Sequence, residues 1–371
     1  NPLITNKIMP SPDKPFTFKR TGAIVPNRAV LAAMTNKQSH PNGEISDEEI
    51  NWLMLRAEGS FGIITTAASH VSKDGQGWEG EIGVFDDKHI NRLSFLTSLI
   101  HNKESLVFSQ LFHGGMRAPQ SLTGKQPISA SKLKSSVSDS GFTRSASIKK
   151  IKKIINDFTL AAVRCEKSGF DGIELHGAHG YLISQFLGTK TNYREDEWGG
   201  DIEGRSKLLI EIYRSIKERV SDSFLVGVRI SPEIDDLGIS LDDSLMLSKI
   251  LKDEGVDFIH ISCWDVFARS KKYPDDPKKL TEWFTQSIDN LPPIISTGNV
   301  WSSNDAQYVI NQGADLVGVA RAGIAHPDWA KNLSKDNYNP SRGPFSVKYL
   351  EKAGLSDVFI DYMRNWKDFV K

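Results

Sequence analysis

A single α/β domain closed into a (β/α)8 TIM barrel is the fold this sequence predicts. Three observations lead there: eight short apolar runs rich in Ile, Val and Phe, helical periodicity in the segments between them, and no Gly-rich turn after the first run. Alternating short β-type and longer α-type segments mark βα units that build a parallel sheet. A doubly wound open sheet would place a glycine-rich phosphate turn directly after its first strand. The segment after residues 29–32 contains none, so eight alternations along 1–371 are read as one closed barrel.

The predicted strands are 29–32, 62–66, 106–111, 172–175, 225–229, 258–261, 293–296 and 316–319, each followed by a helical segment. The first clear helix spans 46–58, with Ser46 as N-cap and Glu49 three residues on as the other half of a capping box. Further helices are expected over 149–168, 202–220, 241–254, 304–312 and in a carboxyl-terminal pair, several stopped by a glycine such as Gly169, Gly255 or Gly313. Residues 112–147 are polar, serine-rich and aperiodic, which predicts an extended loop after strand 3. In a barrel that loop lies over the active face. The run Asp361-Tyr-Met-Arg-Asn-Trp366 is read as a helix either packed on the barrel, the favoured reading, or lent to a neighbouring copy.

Composition narrows the function classes. Hydrophobic residues make up 39% and charged residues 25% of the chain, as in ordinary globular proteins. Lys+Arg and Asp+Glu are both 46, so no global field draws in nucleic acid or an anionic membrane. Cys165 and Cys263 are too far apart in sequence for the closely spaced clusters of zinc or iron–sulfur sites, and a reducing, cytoplasmic setting is expected. Residues 1–20 mix Lys7, Asp13, Lys14, Lys19 and Arg20 with prolines and lack the apolar core of a signal peptide. No run approaches the roughly 20 apolar residues that cross a bilayer. A small-molecule substrate is the expected partner, and a homo-oligomer stays open.

Barrel enzymes place their chemistry at the carboxyl ends of strands, and here nearly every strand ends in a polar residue. Thr35 follows the first and Gln110 closes the third. His176, His179 and Tyr181 follow the fourth, Arg229 ends the fifth, Gly298 and Asn299 follow the seventh, and Arg321 follows the eighth. The cluster His176-Gly-Ala-His179-Gly-Tyr181 offers two imidazoles able to hold one anionic oxygen and a phenol able to give up a proton. A metal pair, or polar groups merely satisfied at a strand end, are the alternatives, and a zinc site lacks an obvious third ligand. Gly298-Asn299 and Ala320-Arg321-Ala322-Gly323 lie where barrels cradle a phosphate, with ordinary turns as the alternative. Arg229 ends an apolar run and needs an anion nearby, either an acidic side chain or a bound group.

The stretch Asp171-Gly-Ile-Glu-Leu-His-Gly-Ala-His-Gly-Tyr-Leu-Ile-Ser-Gln-Phe-Leu187, then Asn192-Tyr-Arg-Glu-Asp-Glu-Trp-Gly-Gly200 and Glu203-Gly-Arg205, resembles the signature of the Old Yellow Enzyme family. Leu31-Ala-Ala-Met-Thr35, Gln110-Leu-Phe-His-Gly-Gly115, Gly227-Val-Arg-Ile-Ser231, Ser296-Thr-Gly-Asn-Val300 and Gly318-Val-Ala-Arg321 follow the same order, so the resemblance covers essentially the whole chain. It implies a barrel holding noncovalent FMN, reduced by NADPH or NADH and reoxidised by electron-poor alkenes, quinones, nitro compounds or oxygen. By the same resemblance Gln110 and Arg229 contact the flavin's pyrimidine side and Thr35 its O4 edge. Ala33, Met34 and Ala67 pack on the ring system, and Gly298, Asn299, Ala320 and Arg321 hold the phosphate. His176 and His179 then grip the substrate oxygen, so that hydride reaches the β-carbon while Tyr181 protonates the α-carbon.

The chain departs from the family's pattern at Ala33, Trp198, Gly204, Ala320 and His326, where proline, tyrosine, asparagine, glycine and an Asn-Pro-Asp run are usual. Ala320 is the departure with most consequence, since its side chain could push the phosphate loop. Two other functions fit parts of the pattern: a lyase or isomerase acting on a phosphorylated substrate, and a flavin-binding sensor without turnover.

Overall fold

A computed structural model of the chain describes residues 8–371; residues 1–7, including the Lys7 of the amino-terminal segment, lie outside the described residues. Eight strands close the barrel: β1 (Ala29–Leu31), β2 (Ile63–His70), β3 (Leu106–Phe112), β4 (Gly172–Gly177), β5 (Leu225–Ile230), β6 (Phe258–Ser262), β7 (Ile294–Thr297) and β8 (Leu316–Val319). Each pairs in parallel with the next, and β8 pairs with β1. Parallel strands need a crossover, and helices supply it.

These helices are α1 (Asp47–Glu58), α2 (Ile90–His101), α3 (Ile148–Lys167), α4 (Ile202–Arg219), α5 (Leu241–Glu254), α6 (Leu280–Ser287) and α7 (Ser303–Asn311), with α8 (Asp357–Met363) near the end of the chain. In α3 the buried residues Ile151, Ile154, Phe158, Ala161, Ala162 and Cys165 recur at three- and four-residue spacing, so one stripe faces the sheet. Ser147, Asp201, Ser240 and Ser302 accept the N3 amide at the starts of α3, α4, α5 and α7.

The observed elements differ from the sequence expectation in four places. Ser46 does cap α1, but Glu49 does not close a capping box: its carboxylate turns instead to Asn36 Nδ2 at 2.9 Å and to the Ser39 hydroxyl. Helices α2 and α6 were not among those singled out from periodicity. Strand β2 runs on to His70 and shifts register between Thr65 and Ala68, a bulge that leaves Thr66 and Ala67 outside the regular pairing. His176 lies within β4 rather than after it.

Inside the barrel the side chains form layers. At the amino-terminal end Val30, Ile63, Phe108, Leu225, Phe258, Ile295 and Leu316 make an apolar floor, with Phe108 and Phe258 stacked at 5.4 Å. A hairpin of Phe16–Phe18 and Ala23–Val25 plugs this end, and Phe18 lies 6.4 Å from both rings. Burying each such side chain is worth about 1.5–3 kcal/mol. The layer above it is polar and becomes the floor of the site.

The segment after β3 is the long loop expected. It carries a turn at Gly115–Arg117, a short helix Gln120–Thr123 and a small sheet of Ile128–Ser129 with Arg144–Ser145. Its serines are used internally: the Ser129 hydroxyl donates to Gln185 Oε1 at 2.7 Å, and Ser131 accepts the Tyr193 amide at 2.8 Å. Arg194 then ties that loop to the β4–α4 segment by donating to the carbonyls of Ala130 at 2.9 Å and Ala146 at 2.7 Å. The Asn192-to-Gly200 half of the signature is therefore architectural.

Gly204 explains itself in this setting. A Cβ there would lie 1.9 Å from the Gly199 carbonyl oxygen, so the asparagine usual in the family has no room on this backbone. Gly204→Asn is expected to destabilise the chain by about 1–3 kcal/mol through overpacking, read as a lower unfolding midpoint; an unchanged midpoint would refute that account.

Toward the carboxyl end, α8 packs on α1 through Phe359 against Trp52 at 5.2 Å; it ends at Met363, so only the first half of the expected 361–366 helix forms. His326 anchors the same region, one ring nitrogen 2.7 Å from the Ser341 carbonyl and the other 2.7 Å from the Tyr349 hydroxyl. Both cysteines are buried free thiols. Among the described residues no helix is long and apolar enough to cross a membrane, and no group of three His, Cys, Asp or Glu could hold a metal.

Candidate active site

Strand register decides which polar side chains meet at the carboxyl end of the barrel. Gln110 pairs with Glu174, His176 and His260 both pair with Arg229, Ser262 pairs with Thr297, and Thr297 pairs with Gly318. These neighbours link into a buried network. Gln110 Nε2 donates to Glu174 Oε1 at 2.8 Å, Glu174 Oε2 lies 2.7 Å from His260 Nδ1, and His260 Nε2 lies 2.6 Å from the Thr297 hydroxyl. A carboxylate only accepts, so His260 carries its proton on Nδ1 and takes the Thr297 hydroxyl hydrogen on Nε2.

Burial alone would raise the Glu174 carboxyl, but His260, Arg229 and Gln110 together hold it down at about 2. It remains an anion beneath Arg229. Burial lowers the pKa of His260, which stays neutral.

Above this network opens a cavity of about 580 Å³ lined by 23 residues, among them Ala33, Met34, Thr35, His179, Tyr181 and Arg229. Gly298, Asn299, Ala320 and Arg321 line its other end. Of the residues expected from sequence, Gln110, Ala67 and His176 are not part of the lining. Gln110 is turned to Glu174, Ala67 sits in the β2 bulge, and His176 lies behind Tyr181 and His179, its ring 5.1 Å from each.

The tautomers follow from the hydrogen bonds. Arg229 Nη2 donates to the Ser262 hydroxyl at 3.1 Å, and that hydroxyl lies 2.6 Å from His179 Nε2. Ser262 accepts from the guanidinium and gives its own hydrogen to His179, which leaves His179 protonated at Nδ1. His176 Nδ1 accepts the Ala178 amide at 3.3 Å, which leaves Nε2 as its donor. Burial, then Arg229, pushes His176 down to about 3 and His179 well below the ordinary imidazole range. Both rings are neutral donors.

Tyr181 starts the short helix Leu182–Leu187. Its ring is held edge-on by Phe112 at 4.5 Å, with Trp78 at 6.2 Å, and the Arg117 guanidinium stands 4.1 Å over its face. Burial raises the phenol's pKa while Arg117 opposes that, so the group is protonated at neutral pH.

Residues 14–339 match the family described as NADH:flavin oxidoreductase / NADH oxidase. The chain belongs to that family. As a member of it, the chain is an FMN-dependent oxidoreductase that uses NAD(P)H, of the Old Yellow Enzyme type. It is 33% identical to a probable NADH-dependent flavin oxidoreductase, YqiG, of Bacillus subtilis over 329 residues, 87% of each chain. It is 32% identical to an NADPH dehydrogenase of Bacillus licheniformis over 337 residues, 89% of this chain and 96% of that one. Several longer relatives match it over only about a third to a half of their own length. The solved structure of morphinone reductase shares the fold, with a TM-score of 0.81 and 24% identity over 95% of this chain and 97% of that one.

The cavity of this flavin oxidoreductase suits a flat group with an anionic tail. Arg229 Nε is buried without a hydrogen-bond partner although its guanidinium lines the cavity, so a donor waits for an acceptor. At the other end a Cβ on Gly298 would lie 2.6 Å from the Trp264 carbonyl carbon, so a larger residue has no room there. Asn299 follows at φ 56° and receives Arg321 Nη2 at 3.4 Å. Ala320 has φ −112°, outside the left-handed region, so its backbone does not call for the glycine that is usual in the family.

The sequence reading missed Glu174, His260, Ser262 and Thr297 in the floor, Arg117 and Trp301 in the wall, and Tyr362, Met363 and Trp366 from the carboxyl-terminal segment. Glu174 and His260 did carry a signal: like Arg229, each is a charged or titratable residue inside an apolar strand. The aromatic residues Tyr362 and Trp366 carried none, because nothing local tells an aromatic that lines a cavity from one that fills a core.

Proposed function

We propose that this protein reduces electron-poor alkenes such as α,β-unsaturated carbonyl compounds, and also quinones and nitro compounds, in one FMN-binding barrel unit spanning 1–371. The observation that carries this reading is a protonated phenol, Tyr181, and a neutral imidazole, His179, in the lining of one cavity with Gly298, Asn299, Ala320 and Arg321, the neutral His176 ring standing directly behind the first two. FMN, when bound, supplies the two-electron chemistry, taking hydride from NAD(P)H and passing it to the acceptor.

In this reading Arg229 would hold the pyrimidine side of the flavin, Thr35 its O4 edge, and Ala33 and Met34 its ring system, with Gln110 and Ala67 set behind that lining. Gly298, Asn299, Ala320 and Arg321 hold its phosphate. His179 Nδ1–H would donate to the substrate oxygen, with His176 Nε2–H in support behind it, drawing electrons from the double bond. Tyr181 gives its proton to the α-carbon, which a group with a pKa near 10 can do once charge develops on carbon. Phe112 and Trp78 pack beside that phenol.

The purified protein is expected to be yellow, to bleach under anaerobic NADPH or NADH, and to regain colour on adding cyclohexenone or a quinone. A colourless protein that also fails to take up added FMN would overturn the reading.

Because the substrate-binding imidazoles are neutral, no inflection from them is expected in the rate of alkene reduction between pH 6 and 8. Stability should respond to acid instead. Burial lowers the pKa of His70 and His176 to about 3, of His89 and His113 to about 4, and of His179 and His260 as well. In the unfolded chain histidine takes up its proton near pH 6.5. The unfolded state therefore binds more protons through that window, and stability falls as pH drops from about 6.5 to about 3. Unfolding midpoints at pH 7.5, 6 and 5 should fall in that order; a flat series would contradict it.

A further inference from the structure

The cavity is lined by three arginines, Arg117, Arg229 and Arg321, and by no carboxylate. Two of them have work in the reading above, Arg229 in the floor and Arg321 beside Asn299. Arg117 is left over. It comes from the long loop after β3 and makes no ion pair among the described residues. Its contacts are the face of the Tyr181 ring at 4.1 Å and one hydrogen bond, from Nη1 to the His179 carbonyl oxygen at 2.9 Å. A guanidinium has five N–H donors in a planar fork, so most of them have no protein partner here.

We propose that Arg117 binds a carboxylate on the substrate, so that the preferred acceptors are electron-poor alkenes that carry an acid, of the 4-oxo-2-enoate kind. The inference rests on the alkene-reductase reading and adds the substrate class to it. The ketone sits on the imidazole of His179, and the carboxylate meets the Arg117 fork beside Tyr181. Stacking on the phenol ring and the bond to His179 hold the fork in place, so little ordering is left for the substrate to impose.

The reaction balances as NAD(P)H plus a proton plus 4-oxo-2-pentenoate giving NAD(P)+ and 4-oxopentanoate. The alkene π bond breaks and two C–H bonds form, one from the hydride and one from the Tyr181 proton, while the nicotinamide loses two electrons. The carboxylate is unchanged throughout. A specificity residue of this type acts on binding, and charge-assisted pairing of this kind is worth about ten- to a hundredfold in affinity.

The test compares kcat/KM of the holoenzyme for 4-oxo-2-pentenoate and for its methyl ester, in the natural protein and in Arg117→Met and Arg117→Lys. The acid-to-ester ratio cancels any general damage to Tyr181 or His179. The natural protein should favour the acid, Arg117→Met should lower the ratio about ten- to a hundredfold through KM, and Arg117→Lys should keep part of it. Added salt should raise KM for the acid more than for the ester. Calorimetric binding of 4-oxopentanoate, lost in Arg117→Met, reads the same site without turnover. A ratio that does not move overturns the proposal. So does an unmoved ratio with slower flavin reduction by NAD(P)H, which would give Arg117 to the reductant's phosphates. Should cyclohexenone not be reduced at all, the alkene reading fails, and 4-oxopentanoate binding alone then decides for or against the arginine.

Discussion

Tyr181→Phe should yield a protein that takes up FMN and is bleached by NADPH as before, yet reduces cyclohexenone about a hundred- to ten-thousandfold more slowly, the usual worth of a placed general acid. Only the hydroxyl is lost. The ring keeps its neighbours, Phe112 at 4.5 Å, His176 at 5.1 Å and Arg117 at 4.1 Å, so the wall of the cavity has no reason to move. Stopped-flow mixing of the reduced protein with cyclohexenone measures the step directly. Quinones, whose oxygens exchange protons with water, should suffer far less in the same variant. An undiminished alkene rate would remove Tyr181 from the chemistry and leave the proton to solvent.

The largest loss of stability should follow from Glu174→Leu. Its carboxylate is the buried counter-charge for Arg229 and the acceptor for both Gln110 Nε2 at 2.8 Å and His260 Nδ1 at 2.7 Å. Removing one member of a buried pair leaves the other charge uncompensated, at a cost of about 3–5 kcal/mol. Two donors are orphaned as well. Glu174→Gln retains one acceptor oxygen and the volume, so it should lose less. Denaturant midpoints of the two variants, taken with and without added FMN, test this order; equal midpoints for Leu and Gln would mean that charge is not what the floor of the site depends on.

Most of the architecture was legible in the sequence because it depends on neighbours a few residues apart. Runs such as 225–229 and 316–319 announce strands by β-branched residues bounded by turns, and α3 and α5 announce themselves by period and caps. The bulge in β2 was not legible, since a two-against-one pairing depends on the partner strand. Nor was the fate of Glu49. It follows Ser46 at capping-box spacing, but Asn36 and Ser39 offered its carboxylate buried donors.

The site divides along the same line. Tyr181, His179, Arg229, Gly298 and Arg321 could be found because barrel strands deliver their carboxyl ends to one face, so a polar residue at a strand end is already placed. Gln110 was found by the same rule but is turned to Glu174 rather than into the cavity.

What the sequence by itself determined is the order of eight strands and their helices, the strand ends that carry chemistry, and the family to which the chain belongs. Tertiary structure alone decided that Gln110 meets Glu174 across 64 residues, that Arg117 of a distant loop lies over Tyr181, and that α8 brings Tyr362 to the cavity wall. The physical reason is one of range: periodicity and capping act within a turn or two of chain, whereas a buried charge is placed by whichever partner the closed barrel sets beside it.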